Sequence, residues 1–210
     1  GVRVMTNKQI LSSVKDRQLV EKRRQQIIKA AITLFKQKGF HRTTTREIAK
    51  QSGFSIGTLY EYIRTKEDIL FLVCDSIYEQ VKRRLEEVIQ LQASTEDTLS
   101  HVVRAYFELI DDMQDEVVVM YQEVKSLKKE SRDYVLQKER EMVDMFKAML
   151  YKYLPYKISE VDAELVANNI FVQGQMWGFR RWMLQKQFTL ETYIERQLYY
   201  LRKALAVKVP

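Results

Sequence analysis

The stretch Thr44–Lys66, TTREIAKQSGFSIGTLYEYIRTK, carries two helix starts with a glycine stop between them. Thr44 followed by Glu47 is a reciprocal capping box, in which the hydroxyl accepts a backbone N–H and the carboxylate reaches back to the start of the helix. Ile48 and Ala49 form the inward pair of this first helix. Gly53 closes it after barely two turns, because glycine tolerates the left-handed backbone found just past helix ends. A second helix opens at Ser55 and runs through Tyr62. On a helical wheel Leu59 and Ile63 lie one turn apart and face inward. Gly57, Thr58 and Glu61 take the opposite face, with Tyr60 and Tyr62 flanking. Two short helices joined by a glycine turn, set against a longer helix before them, make a helix-turn-helix.

Outward from this stretch the helical pattern continues. Upstream, Ile27, Ala30, Ala31, Leu34 and Phe35 recur at helical spacing from Glu21 to a stop at Gly39. Residues 1–20 hold only scattered apolar points and read as a flexible arm or a frayed helix start. Downstream, Thr65-Lys66-Glu67-Asp68 opens a long helix to about Leu91. Further helices are expected from Thr95 to about Met113, over roughly Glu116–Leu127, from near Ser131 to the stop at Pro155, from Ser159 to about Lys186, and from Thr189 to about Val207. With 2 prolines and 6 glycines in 210 residues, the fold class is all-α, with about nine helices. There is no repeat or low-complexity segment. The boundary between functional units falls near Lys66, giving a head over 1–66 with a basic N-terminal arm and a body over 67–210.

Charge separates the same two parts. Residues 1–66 hold 15 Lys+Arg against 4 Asp+Glu, net +11, leaving 20 against 24, net −4, for the rest of a chain whose total is +7. A basic head on a mildly acidic body points to a polyanion partner for the head alone. The single cysteine, Cys74, excludes an intramolecular disulfide and a cysteine-based zinc cluster, which suits a reducing cytoplasm. The longest unbroken apolar run, Ile69–Cys74, is far shorter than the roughly 20 residues of a membrane span. His41 and His101 lie in different units, and no nucleophile–histidine–carboxylate set, phosphate loop or metal-ligand spacing is present. These features argue against an enzyme and call for no cofactor or metal.

The head offers a set of candidate DNA contacts. Ser55, Thr58, Tyr60 and Tyr62 carry hydroxyls suited to phosphate oxygens, and Thr44, Thr45 and Arg46 cluster at the start of the first short helix. Lys66 adds charge just past the second. Gly57, near the start of a short helix, costs about 1 kcal/mol relative to alanine, which suggests close approach by another backbone such as a DNA strand. Ile56 sits where it could meet a thymine methyl, and Glu61 where it could accept from a cytosine amino group or pair with a nearby arginine.

The run Phe35-x3-Gly39-Phe40-x2-Thr43-Thr44-x2-Glu47-Ile48-Ala49-x3-Gly53-Phe54-Ser55-x-Gly57-Thr58-Leu59-Tyr60-x-Tyr62-Ile63-x2-Lys66-Glu67-x2-Leu70 resembles the signature of the TetR (tetracycline-repressor) family. Thr45 departs from it where valine is usual, and Ile63 where phenylalanine is usual. The resemblance implies DNA contact at Thr44, Ser55, Gly57, Thr58, Tyr60, Tyr62 and Lys66, with operator choice at the variable positions Ile56 and Glu61. It further implies a repressor that binds a palindromic DNA operator as a homodimer and leaves it when a small effector enters a helical body. The dimer is then a four-helix bundle of the last two long helices. Ile194, Leu198, Leu201 and Leu205 form an apolar stripe suited to that interface, with Gly174, Gly178 and Trp182 beside it; an intrachain contact would explain the glycines equally well.

The body is rich in methionine and aromatic groups, which can line an adaptable apolar cavity or simply build a core. Candidate effector contacts are Phe107, Met120, Tyr121, Met145, Phe146, Phe171 and Phe179, with Gln175 and Arg181 to orient a polar group. Gly174, Arg181-Trp182 and Phe188-Thr189-Leu190-Glu191 are similar to the C-terminal pattern of TetR-family regulators of fatty-acid and steroid catabolism, which often respond to acyl-CoA thioesters. Trp177 is offset from that pattern, and the loop after Trp182 lacks its Pro-Gly. A long-chain acyl-CoA or other lipid is therefore one effector class, and a flat hydrophobic drug, as in multidrug efflux regulators, is the other. A helical interaction adaptor and a non-specific architectural DNA binder are further alternatives; the basic head opposes the first and the acidic, apolar body the second.

Overall fold

The computed structural model describes residues 16–91 and 97–206. The arm over 1–15, the start at Thr95 and the end at Val207 lie outside them. The described residues form ten α-helices: α1 Arg17–Lys38, α2 Thr45–Ser52, α3 Ile56–Tyr62, α4 Lys66–Leu91, α5 Asp97–Asp112, α6 Gln114–Glu123, α7 Lys129–Tyr153, α8 Glu160–Phe179, α9 Arg181–Gln187 and α10 Leu190–Ala206. None of them is long and apolar enough to cross a membrane.

Helix α1 begins earlier than the apolar periodicity suggests, because Asp16 accepts the N–H groups of Gln18 and Leu19 and caps it. The single helix expected over Ser159–Lys186 is broken at Arg180, whose φ of −108° and ψ of 21° leave helical geometry. Gly178, a weak helix former, lies in the turn just before the break. Elsewhere the caps fall as expected, with the Ser159 hydroxyl accepting from Asp162 N–H and the Thr189 hydroxyl from Thr192 N–H.

The chain divides into two compact units. The first holds the described residues up to Ile77 together with Val118–Lys138. In it α1 packs on α2 and α3, around Ile27, Ala31, Phe35, Ile48, Leu59 and Ile63, all fully or almost fully buried. Each of these side chains other than Ala31 contributes about 1.5–3 kcal/mol by leaving water. Polar ties add to this unit. Ser131 donates to Glu67 at 3.1 Å, Tyr134 donates to buried Asp75, and Lys138 lies 3.8 Å from the same carboxylate.

The second unit holds Tyr78–Val117 and the described residues from Glu139 onward. Helix α5 is its centre, packed on α8 and α10. Trp177, almost fully buried, donates to Asp111 at 2.7 Å and lies 4.8 Å from the Tyr193 ring. The Tyr193 hydroxyl in turn donates to Gln173 O at 2.5 Å.

Candidate nucleic-acid interface

Local chemistry sets the geometry of α2. The Thr44 hydroxyl accepts Glu47 N–H at 3.1 Å, and Glu47 accepts Thr44 N–H at 3.2 Å, completing the capping box. Lys38 from the end of α1 donates to the other Glu47 oxygen at 2.5 Å. Hydrogen bonds from Lys38 and Thr44 hold the Glu47 carboxyl below its ordinary pKa. Gly53, at φ 80° and ψ 21°, makes the left-handed turn into α3. There Ser55 caps the helix, accepting Thr58 N–H at 3.1 Å and donating to Thr58 Oγ1 at 2.8 Å.

Inward, Leu59 and Ile63 are both fully buried, as the wheel requires. Arg24 of α1, itself buried, donates through Nε and Nη2 to Tyr62 O at 3.4 Å, which ties down the C-terminal end of α3. The pattern of α1 gave no warning of this role, since a backbone carbonyl acceptor leaves no mark in a sequence.

Outward, the candidate contacts divide into two groups. Thr44, Arg46, Ser55, Gly57 and Tyr60 are exposed, and Thr45, Ile56 and Thr58 are half-buried beside them. Tyr60 is 49% exposed, and its hydroxyl lies 3.0 Å from Thr45 Oγ1. A Cβ on Gly57 would meet nothing nearer than Ser55 Oγ at 4.0 Å, so nothing within the chain requires glycine there.

Tyr62 and Lys66 are placed differently. Tyr62 is only 4% exposed and stacks on Phe54 at 6.3 Å, so its ring serves the core. The Lys66 ammonium donates to Phe40 O at 2.6 Å and Thr43 O at 3.1 Å, and it sits 4.3 Å from the centre of the Phe40 ring. Burial pulls its pKa below the ordinary lysine value. Lys66 thus closes the α1–α2 turn rather than standing free as a surface cation.

In the second unit Phe107, Phe146, Phe171 and Gln175, four of the candidate effector residues, meet at Tyr106. The Tyr106 ring lies 4.7 Å from Phe146 and 5.8 Å from Phe107. Its hydroxyl donates to Phe171 O at 2.8 Å and accepts from Gln175 at 3.2 Å. Burial raises the Tyr106 pKa far above the ordinary phenol value, so the hydroxyl stays protonated. Met145 and Phe179 are half-buried. Arg181 is paired with Asp115 at 2.6 Å and lies over the Trp182 ring at 4.6 Å, so its charge is already matched. Met120 and Tyr121 belong to the first unit; Met120 is buried, whereas Tyr121 is 52% exposed.

The expected dimer stripe needs correcting. Ile194 and Leu198 are buried within their own chain. A Cβ on Gly174 would stand 2.2 Å from Tyr106 Cε1, and one on Gly178 would stand 3.0 Å from Val117 Cγ1, so both glycines seat side chains of their own protomer. Leu201 and Leu205 are half-buried. The large apolar groups left exposed include Val161, Leu165 and Val172 on α8, Trp182 and Met183 on α9, and Tyr199 and Tyr200 on α10.

Residues 27–73 match the bacterial regulatory proteins of the tetR family, and residues 92–173 match the tetracyclin repressor-like C-terminal domain. The helix-turn-helix transcriptional regulator HbdR of Aromatoleum sp. (strain CIB) is 30% identical over 193 residues, covering 91% of this chain and 84% of that protein. FadR of Bacillus subtilis, solved in complex with stearoyl-CoA, shares the fold with a TM-score of 0.71 at 24% identity, over 84% of this chain and 96% of that one. AibR, solved in complex with isovaleryl coenzyme A and operator DNA, does so with a TM-score of 0.66 at 20% identity, over 86% and 97%. A capped, glycine-turned helix pair on a basic head and a relative matching over nine-tenths of the length lead to one conclusion: the chain belongs to the TetR family of bacterial transcriptional regulators.

Proposed function

We propose that this chain is a cytoplasmic, homodimeric repressor that binds a palindromic operator through α3 and is released by an acyl-CoA thioester. DNA contact is assigned to the head, up to Lys66, and effector response to the body beyond it. The observation that carries the DNA reading is Gly57. It sits exposed in a helix of 7 residues, with open space where its Cβ would be. A glycine there lowers helix stability by up to about 1 kcal/mol, with no return inside the protomer. Close approach of a phosphate strand to the start of α3 supplies the missing reason. The exposed hydroxyls of Ser55 and Tyr60 and the Arg46 guanidinium flank that position.

One head presents a single short recognition helix, and two heads on one duplex multiply affinity and read a symmetric site. The pairing face is assigned to the exposed stripe Val161, Leu165 and Val172 of α8, which follows helical spacing. The Arg196–Tyr199 cation–π pair of α10, at 4.7 Å, is assigned to the same face. The acyl-CoA reading is supported by FadR and AibR, whose solved complexes hold CoA thioesters. The aromatic set around Tyr106 is the group assigned to the acyl chain.

The test is binding of fluorescent duplexes drawn from the DNA flanking the gene, titrated at physiological salt with and without effector. A palindromic duplex is expected to bind at least about a thousandfold tighter than random duplex. Stearoyl-CoA or isovaleryl-CoA is expected to release it, whereas free CoA is not. Equal affinity for random duplex overturns the repressor reading. Release by rhodamine 6G but by neither thioester replaces the acyl-CoA assignment with a drug-type effector.

A further inference from the structure

We propose that Thr45 is a positioning residue that aims the Tyr60 hydroxyl at the DNA backbone; the inference rests on α3 being the DNA-contacting helix. Thr45 Oγ1 and the Tyr60 hydroxyl are 3.0 Å apart and join the first residue of α2 to α3. Thr45 is half-buried, while Tyr60 is 49% exposed, so the phenol is the outer member of the pair. Each hydroxyl can donate once and accept, and only one proton lies in the bond between them. Without DNA either group can supply it.

An approaching phosphate removes that choice. Its oxygens accept hydrogen bonds and donate none, so Tyr60 must turn its own proton outward to reach one. The proton of the inner bond then has to come from Thr45. The resulting chain runs from Thr45 Oγ–H to the Tyr60 oxygen, and from Tyr60 O–H to phosphate. A hydroxyl that accepts one hydrogen bond becomes a better donor in the next, so the inner bond strengthens the outer one. The inner bond also limits the sweep of a ring that is otherwise half in solvent.

Both ends of the pair are held firmly. Thr45 follows directly on the Thr44–Glu47 capping box, and Leu59, next to Tyr60, is fully buried. Ser55 and Thr58 form a second hydroxyl pair on the same face, in which the exposed Ser55 donates to the half-buried Thr58 Oγ1 at 2.8 Å.

The test is a double-mutant cycle on the full chain, using a duplex that the wild-type protein has selected from a random-sequence library. Thr45→Val is close to isosteric and removes only the hydroxyl. It is expected to weaken binding about three- to tenfold while leaving the melting temperature unchanged. Thr45→Ser, which keeps the hydroxyl, is expected to bind within about twofold of wild type. In the Tyr60→Phe background the Thr45→Val change is expected to cost less than about twofold, because the group it aims is gone. An equal loss in both backgrounds, or no loss in either, overturns the inference. If the wild-type chain enriches no duplex at all, the DNA reading fails and takes this inference with it. Enrichment without coupling defeats the positioning role alone.

Discussion

Replacing Lys66 by methionine keeps most of the aliphatic stem over Phe40 and removes the ammonium. That group holds the carbonyls of Phe40 and Thr43 at 2.6 and 3.1 Å, and both residues are buried. A hydrogen bond from a charged donor contributes about 1.5–3 kcal/mol, which gives roughly 3–6 kcal/mol for two. The burial that lowers the Lys66 pKa takes back part of this, because the ammonium has given up hydration to make these bonds. Water also reaches a half-buried site and can partly replace the lost donor. The net loss is expected to be about 2 kcal/mol, or about 4–8 °C in melting temperature for a chain of this size.

Two measurements separate this turn-closing role from a phosphate contact. Thermal unfolding followed by circular dichroism reads the stability loss directly. Duplex binding across a salt series, well below the melting temperature, reads phosphate contacts, since each one lost lowers the slope of log K against log salt by about 0.9. Lys66→Met is expected to lower melting and leave that slope unchanged. Melting unchanged within about 1 °C, with a slope reduced by about one per protomer, would refute the assignment of Lys66 to the fold.

Gly57→Ala is expected to raise melting slightly, by up to about 1 kcal/mol of helix stability, while weakening binding of a selected duplex; undiminished DNA affinity removes the argument for a close strand. Gly174→Ala places a Cβ 2.2 Å from the Tyr106 ring and is expected to cost about 1–3 kcal/mol in unfolding experiments. Light scattering should still find the protein paired at concentrations where it is folded, and a folded monomer would put Gly174 back at the dimer face. Arg140 and Lys147 hold the Glu164 carboxyl at about 2, below its ordinary 4.5. A depressed folded pKa contributes fully above pH 4.5 and is lost as pH falls through about 2, so the melting difference between wild type and Glu164→Gln should vanish across that window. A difference that persists undiminished below it counts against the tie.

What could be read in advance from the chain was local. The Thr44–Glu47 box, the Gly53 stop and the Ser159 cap each involve groups within four residues, and each falls where the residues predict. Contacts between distant segments were not legible. Gly174 looks the same in sequence whether a second protomer or Tyr106, 68 positions upstream, fills the space above it. Helix α10 carries an apolar stripe through Ile194 and Leu198 and an adjacent pair, Tyr199 and Tyr200; periodicity finds the stripe without saying whether its own protomer or a partner covers it. Burial gives the first to the protomer and leaves the second outside. Lys66 and Arg24 carry no sequence mark of their structural roles for one reason: their acceptors are backbone carbonyls, which every residue carries.

Once Lys66 and Arg24 are assigned to the fold, the exposed face of the head looks different. Charge remains on Arg42, in the turn before α2, and on Arg46 and Lys50 of α2, whereas α3 carries no basic residue at all. Attraction between exposed charges extends about 8 Å at physiological salt, enough to draw the head onto any duplex without regard to sequence. Hydroxyls act only within hydrogen-bond reach and in a fixed direction. A helix pair that keeps its cations on the α2 side and its outer hydroxyls on α3 thus separates general attraction from docking geometry. The two short helices can share one core and still do different work, because Ile48 and Leu59 bind them together from the inside while Thr45 and Tyr60 meet on the outside.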